Sequence, residues 1–281
     1  YYVGRDIDAP RFIKNSKESW FKEPLHKLNF LERRFYKKTF DFAITHVAPT
    51  WVFEHLRKYS SKCIKMDRKP VDSTLFEDKS MSLSKKKEKF TFFCPQRMGI
   101  PKGTDILWKA LGYCKTDFQI LQVDWRDTGT DEENKTSLQL RENLPSQVEL
   151  IPMIKRKNMP SYYYWADAVI GNLRIGSFEY VELEGVICNK PVVSFTDKSF
   201  KIILEGTELQ SPFLPEHNDP KIIAEIIDNI VSSADFREKL YKKEYEFVKE
   251  IADPNKAAEW WDSLFEKSVK KYDSINRKSS I

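Results

Sequence analysis

Short apolar runs and amphipathic stretches alternate through the middle of the chain. Phe90 to Cys94, Phe118 to Asp124, Val148 to Pro152, Ala168 to Ile170 and Val192 to Phe195 show little polar alternation. That pattern suits strands covered on both faces. Between them, Thr104 to Cys114, Met159 to Trp165 and about Glu179 to Cys188 carry helical periodicity. Thr104 is the expected N-cap of the first helix. Met159-Pro160 opens the second, packed by Tyr163, Trp165 and Ala166, and Asn189-Lys190-Pro191 stops the third. Strands alternating with helices imply parallel βαβ units in a doubly wound sheet. Such sheets bind ligands at the carboxyl ends of their strands. From Pro220 to Tyr272 the apolar pairs Ile222-Ile223, Ile226-Ile227, Ile230-Val231, Phe247-Val248 and Trp260-Trp261, then Phe265, predict helices. Asn276 to Ser280 reads as a frayed end.

The first quarter repeats the alternation less regularly. Tyr1 to Ile7 and Phe40 to His46 read as strands, with a basic, aromatic and mostly helical segment from Pro10 to Lys38 between them. A helix from Pro49 through Tyr59 and a short strand from Lys62 to Met66 follow. Asp67 to Asp72 is a turn. Ser73 to Lys89 is polar, lysine-rich toward its end, and offers little to bury, which marks an interdomain connection. The expected domains are therefore 1–75, a linker over 76–89, 90–250, and closing helices over 251–281 that pack back toward the first domain.

Composition limits the classes open to such a chain. Its 281 residues are 41% hydrophobic and 14% aromatic, enough for a sizeable core and unlike a disordered tail. Lysine and arginine exceed aspartate and glutamate by 47 to 42, a net charge of +5. That excess fits an ordinary mixed surface, or attraction to phosphate-bearing ligands or an anionic membrane face. No stretch approaches the ~20 apolar residues of a membrane helix. The chain begins without Met, so the lack of a visible targeting segment carries no weight. Cys63, Cys94, Cys114 and Cys188 show neither C-x-x-C spacing nor a histidine at ligand spacing. They read as buried free thiols, in keeping with a reducing compartment.

Candidate chemistry gathers at strand ends. After Phe90–Cys94 comes C-P-Q-R-M-G-I-P-K-G, in which Arg97 and Lys102 share one loop. Two such cations suit a diphosphate, as a fork and a point charge; solvated loop cations are the plainer alternative. The loop is not a Walker sequence. After Ala168–Ile170, Gly171 and Gly176 bracket a loop that leads into a helix, whose N-terminus is a ready anion site. On that helix Glu184 stands in an apolar turn, either as an exposed glutamate or as acceptor for a ribose diol. Glu179 and Glu182 are expected on the solvated face. Asp167 and His46 read as structural. No Ser-His-Asp order, G-x-S-x-G or zinc motif is present, and no motif supports nucleic-acid binding.

Together these residues resemble the GT-B fold glycosyltransferases of family 4 type, the group 1 glycosyl transferases. R-M-G-I-P-K-G is similar to the family's R-x(4–5)-K, which contacts the donor diphosphate. Met159 to Asp167 resemble M-P-x-Y-Y-x-x-A-D. L-E-G-V-I-C-N-K-P-V-V, residues 183–193, resembles L-E-A-x-A-x-G-K-P-V-V and puts Glu184 on the second glutamate of the E-x7-E motif, the ribose ligand. The first glutamate, which touches the transferred sugar, would fall at Gly176. The local I-G-S-F-E form is similar to an archaeal-style branch with I-G-S-x-G. Before residue 90 the likeness is weaker: Y-Y-V-G-R-D-I resembles H-G-S-D-I, and K-P-V-D-S-T-L-F resembles N-P-V-D-x-x-x-F.

The resemblance implies two Rossmann-like α/β domains with parallel sheets, the N-terminal one incomplete, closed by C-terminal helices. It implies a retaining, hexosyltransferase-like enzyme that moves a sugar from a nucleotide diphosphate sugar to a glycan, lipid or other acceptor. Arg97 and Lys102 would be catalytic; Glu184, Gly176, Ser177 and Phe178 would bind the donor, with the backbone N–H groups of Ser177 and Phe178 reaching phosphate or sugar. Neither metal nor cofactor is expected beyond the donor itself. The expected setting is cytoplasmic, with peripheral contact at the inner membrane face for a lipid-linked acceptor. Gly176 in place of the glutamate and the missing early N-terminal strands favour an alternative, a non-catalytic nucleotide-sugar-binding or partner subunit.

Overall fold

The computed structural model describes residues 46–48, 53, 57, 61–66, 68–76, 83–84, 87–125, 131–205 and 207–278. The expected strand at Tyr1 to Ile7, the helical segment from Pro10 to Lys38 and most of the strand ending at His46 lie outside them. So does nearly all of the helix expected from Pro49. The chain divides into two compact units, Tyr1–Arg68 with Asn255–Ile281, and Lys69–Pro254.

In the first unit, β1 (His46–Ala48) pairs in parallel with β2 (Cys63–Lys65). His46 thus lies in a strand, as expected, and among the described residues that strand runs on to Ala48.

The second unit is built on five parallel strands: β3 (Phe90–Cys94), β4 (Phe118–Val123), β5 (Val148–Ile151), β6 (Ala168–Ile170) and β7 (Val192–Val193). Their order is β5-β4-β3-β6-β7. The helices are α1 (Thr104–Leu111), α2 (Asp131–Glu142), α3 (Met159–Trp165), α4 (Tyr180–Ile187), α5 (Pro220–Ser232) and α6 (Ala234–Ile251). A seventh, α7 (Pro254–Lys278), belongs from Asn255 onward to the first unit.

The two-residue period of a strand sends neighbours to opposite faces. Phe92, Ile120, Ile170 and Val193 join Leu107, Ala110, Ile223 and Ile227 on one face, where α1 packs on α5. Phe93, Leu121, Val169 and Val192 join Leu183, Val186, Phe247 and Val248 on the other, where α4 packs on α6. Burial on both faces is why these strands lack polar alternation.

Two local expectations are corrected. Thr104 is not an N-cap: Gly103 takes that position, and the Thr104 hydroxyl accepts the Gly99 N–H at 3.0 Å. The start of the presumed linker does bury apolar surface. Ser73–Phe76 forms a 3-10 turn, and Phe76 and Val71 enter the core of the second unit. Two elements carry no clear sequence pattern. Helix α2 is mostly polar, and a short β8–β9 hairpin (Ile202–Leu204, Thr207–Leu209) sends only Ile202 fully into the core.

Candidate donor-binding site

In the order β5-β4-β3-β6-β7 the direction of winding reverses between β3 and β6. Loops leaving the carboxyl ends of strands at such a reversal diverge and open a ligand crevice. The loop after β3 carries Arg97 and Lys102; the loop after β6 carries Gly171 to Glu179. The structure ties these two loops together. Gln96 Nε2 donates to the Gly171 carbonyl at 2.6 Å, and the Leu173 N–H donates to the Lys102 carbonyl at 3.2 Å. Arg174 pairs with Asp105 at the start of α1, 2.5 Å apart.

Lys102 ends a 3-10 turn, Ile100–Lys102. Its ammonium lies 2.7 and 2.5 Å from the two carboxylate oxygens of Glu179. Asn172 Nδ2 adds a 3.3 Å contact to the same carboxylate. Burial pushes the Glu179 carboxyl up, but the Lys102 charge and hydrogen bond, then Lys69 and Asn172, outweigh it and hold the acid below its ordinary range. Arg97 stands over Trp125, its guanidinium carbon 5.8 Å from the ring centroid.

The sequence expectation for Glu179 and Glu182 fails here. Glu182 is fully buried. It accepts from the Asn172 N–H and the Ser194 hydroxyl on Oε1, and from the Glu179 N–H on Oε2, each at 2.8 Å. Burial, then the nearby Glu179 charge, raises its carboxyl above the ordinary value despite these donors. Glu179 is the N-cap of α4 and returns the bond, so the two acids form a capping box. The i, i+3 spacing of two glutamates just before an apolar turn was a readable signal for it. Gly171 makes the arrangement fit, because a Cβ there would lie 2.2 Å from Glu182 Oε1.

Gly176 has φ +77°, a left-handed conformation that favours glycine. A Cβ on it would meet Asp197 Cβ at 2.6 Å and the Phe195 ring at 2.9 Å. The place where the resemblance puts a sugar-contacting glutamate is thus filled by Asp197 and Phe195. Ser177 and Phe178 are both buried. The Phe178 ring packs edge-on against Phe247 at 5.3 Å, and its carbonyl accepts from Lys69 Nζ. Lys69, which lies 4.5 Å from the Phe178 ring centroid, was not a sequence candidate.

Glu184 is buried, on the face of α4 that turns to α3. Tyr163 Oη donates to its Oε2 at 2.9 Å, and Arg156 Nη2 lies 2.6 Å from its Oε1. The hydrogen bond to Glu184 holds the Arg156 guanidinium above its ordinary value, against the opposing effect of burial. Arg156 also covers Phe76, 5.3 Å from the ring centroid. Sequence reasoning missed Arg156, because no spacing relates it to Glu184. Asp167 is structural as expected, accepting from the Thr91 N–H at 2.8 Å and from Lys87 at 2.5 Å. All four cysteines are free; Cys94 and Cys188 are buried, and Cys63 and Cys114 partly so. Burial pushes the Cys94, Cys114 and Cys188 thiols up to about 12, which disfavours the reactive thiolate. Among the described residues no group of His, Cys, Asp and Glu is placed to hold a metal, and no helix is long and apolar enough to cross a membrane.

Known structures share this architecture. HepE from Anabaena, solved with UDP and glucose, is 17% identical with a TM-score of 0.62, over 89% of this chain and 67% of its own. A glycosyltransferase from Rickettsia africae is 18% identical with a TM-score of 0.61, over 84% and 67%. Sucrose-phosphate synthase from Thermosynechococcus elongatus is 17% identical with a TM-score of 0.66, over 88% of this chain and 64% of its own. A search of curated protein sequences returns no match. Residues 76–247, well over half of the chain, match the family described as glycosyl transferases group 1. With the switch-point loops on a parallel sheet and the fold of these neighbours, the chain belongs to the group 1 glycosyl transferases and has the GT-B fold.

Proposed function

We propose that this protein transfers a sugar from a nucleotide diphosphate sugar to a glycan or lipid-linked acceptor, with retention at the anomeric carbon. The observation that carries this reading is the meeting of the β3 and β6 loops at the winding reversal, with Lys102 brought to the N-terminus of α4. Charge is the working principle. The bond between the anomeric carbon and the diphosphate oxygen breaks, and Lys102 and Arg97 stabilise the negative charge left on the diphosphate. The acceptor oxygen bonds to that carbon from the same face and passes its proton to the departing phosphate. The backbone N–H groups of Ser177 and Phe178 face the phosphate or sugar, and Glu184 accepts from the ribose diol. In this reading the two cations supply the counter-charge, and transfer persists in excess chelator.

HepE has been solved with UDP and with UDP-glucose, which makes these the first ligands to try. The test is a thermal-shift screen of nucleotide sugars followed by a transfer assay with the stabilising donor. Stabilisation by one donor, and transfer that Arg97→Ala abolishes with the fold intact, is the expected result. Full activity in Arg97→Ala would overturn its role. Tight nucleotide binding without transfer or donor hydrolysis would instead support the partner-subunit reading, which the filled space at Gly176 favours.

A further inference from the structure

We propose that the Glu179 carboxylate is a built-in occupant of the diphosphate position: it holds Lys102 in the ligand-free protein, and the donor must displace it. This rests on the reading of Lys102 as a diphosphate ligand. Both carboxylate oxygens of Glu179 lie within hydrogen-bonding distance of the ammonium, at 2.7 and 2.5 Å. The Lys102 side chain is 16% exposed and that of Glu179 32%, so water screens the pair only partly. Lys69 and Asn172 face the same carboxylate.

The setting is one that a phosphate group would also favour. Glu179 is the N-cap of α4, at the positive end of the helix dipole, with a lysine beside it. A carboxylate and a phosphate seek the same N–H donors there. Two anions within a few ångströms of one lysine repel each other strongly where solvent is scarce. Binding of a diphosphate therefore requires the Glu179 side chain, the more exposed partner, to leave Lys102. Apparent affinity falls by the fraction of molecules already in that open arrangement. Residue 179 thus sets how tightly the donor is held, without touching the reacting atoms.

The experiment removes the charge and keeps the cap. In Glu179→Gln the amide oxygen can still accept the Glu182 N–H. Glu179→Asn provides a second neutral side chain suited to an N-cap. The full chain is titrated with UDP and with inorganic pyrophosphate, which carries no base. Both variants should bind both ligands about 10-fold more tightly than the wild type. Affinity that is unchanged or weaker in the correctly folded variants overturns the proposal.

A ligand-free readout separates the two readings. Acylation of Lys102, followed by mass spectrometry, should run several-fold faster in Glu179→Gln; an unchanged rate also overturns the proposal. If Lys102→Ala leaves pyrophosphate and UDP binding intact, the diphosphate reading itself has failed. If Lys102→Ala abolishes binding and Glu179→Gln changes nothing, only the displacement has failed.

Discussion

The two ends of the proposed donor site are charge-paired in opposite senses. At the diphosphate end the better-buried partner is the cation: Lys102 is 16% exposed and Glu179 32%. At the ribose end it is the acid: Glu184 is 3% exposed, while Arg156 is 55% exposed. In each pair the sheltered group is the one proposed to bind donor, and the outer group is its counter-charge. A buried charge without a partner is strongly unfavourable, so a site prepared for a charged ligand needs a substitute when empty. The partners also differ: Glu184 accepts from the hydroxyl of fully buried Tyr163, whereas Lys102 pairs with the N-cap residue of α4.

The largest expected effect is at the sheltered cation. Lys102→Ala should lower transfer at saturating donor by 100-fold or more, roughly the loss seen when a transition-state charge donor is removed. Its melting temperature should stay near that of the wild type; a full loss of folding would mean that the Lys102–Glu179 pair is structural. Next comes Gly176→Glu, which restores the family residue. The positive φ and the contacts with Asp197 and Phe195 predict a destabilisation of roughly 3 kcal/mol and no gain in transfer. A stable, more active variant would show that the loop re-forms readily and that Asp197 and Phe195 do not block the position.

At the ribose end, Glu184→Ala should do two things. It strands the buried Tyr163 hydroxyl, costing about 1–3 kcal/mol in denaturant unfolding. It should also weaken UDP binding by calorimetry, and unchanged affinity would remove the ribose role. Arg156→Ala should leave UDP affinity equal or a few-fold tighter; a marked loss would make Arg156 a ligand and break the symmetry between the two ends.

The smallest effect concerns a third buried carboxyl. Glu244 on α6 accepts the Val192 N–H at 3.0 Å, and burial pushes its carboxyl well above the ordinary range. A folded-state value above the unfolded one gives stability that is complete below the ordinary carboxylate range and fades as pH rises toward the folded value. Glu244→Gln should therefore flatten the decline in stability above the ordinary carboxylate range, read by denaturant unfolding across pH. A parallel decline in wild type and variant would mean that Glu244 ionises normally.

Most of the second unit was legible in the chain. Strands such as Phe90–Cys94 and Ala168–Ile170 are apolar on both faces, and Met159–Trp165 has its proline at the first turn, so local pattern and final environment agree. Local pattern failed where environment decided. Phe76 looked like part of a polar linker because most of the segment after it is polar, yet one aromatic ring with Leu75 beside it seats the turn in a core. Glu182 and Glu179 carry the type of residue that ordinarily faces water. The burial of Glu182 and the pairing of Glu179 depend on Asn172, Ser194, Gly171 and Lys102, brought from separate strand ends.

From its order of residues alone this chain determines the alternation of strand and helix, the two cations after β3 and the glutamate of α4. Those properties depend on side-chain period and local backbone preference, which act between near neighbours. Only the tertiary structure decides that Glu179 meets Lys102, that Arg156 covers Glu184, and that Asp197 fills the space beside Gly176. These partners lie 77, 28 and 21 residues apart. Such pairings arise when a parallel sheet brings the ends of distant strands together, and no local pattern encodes them.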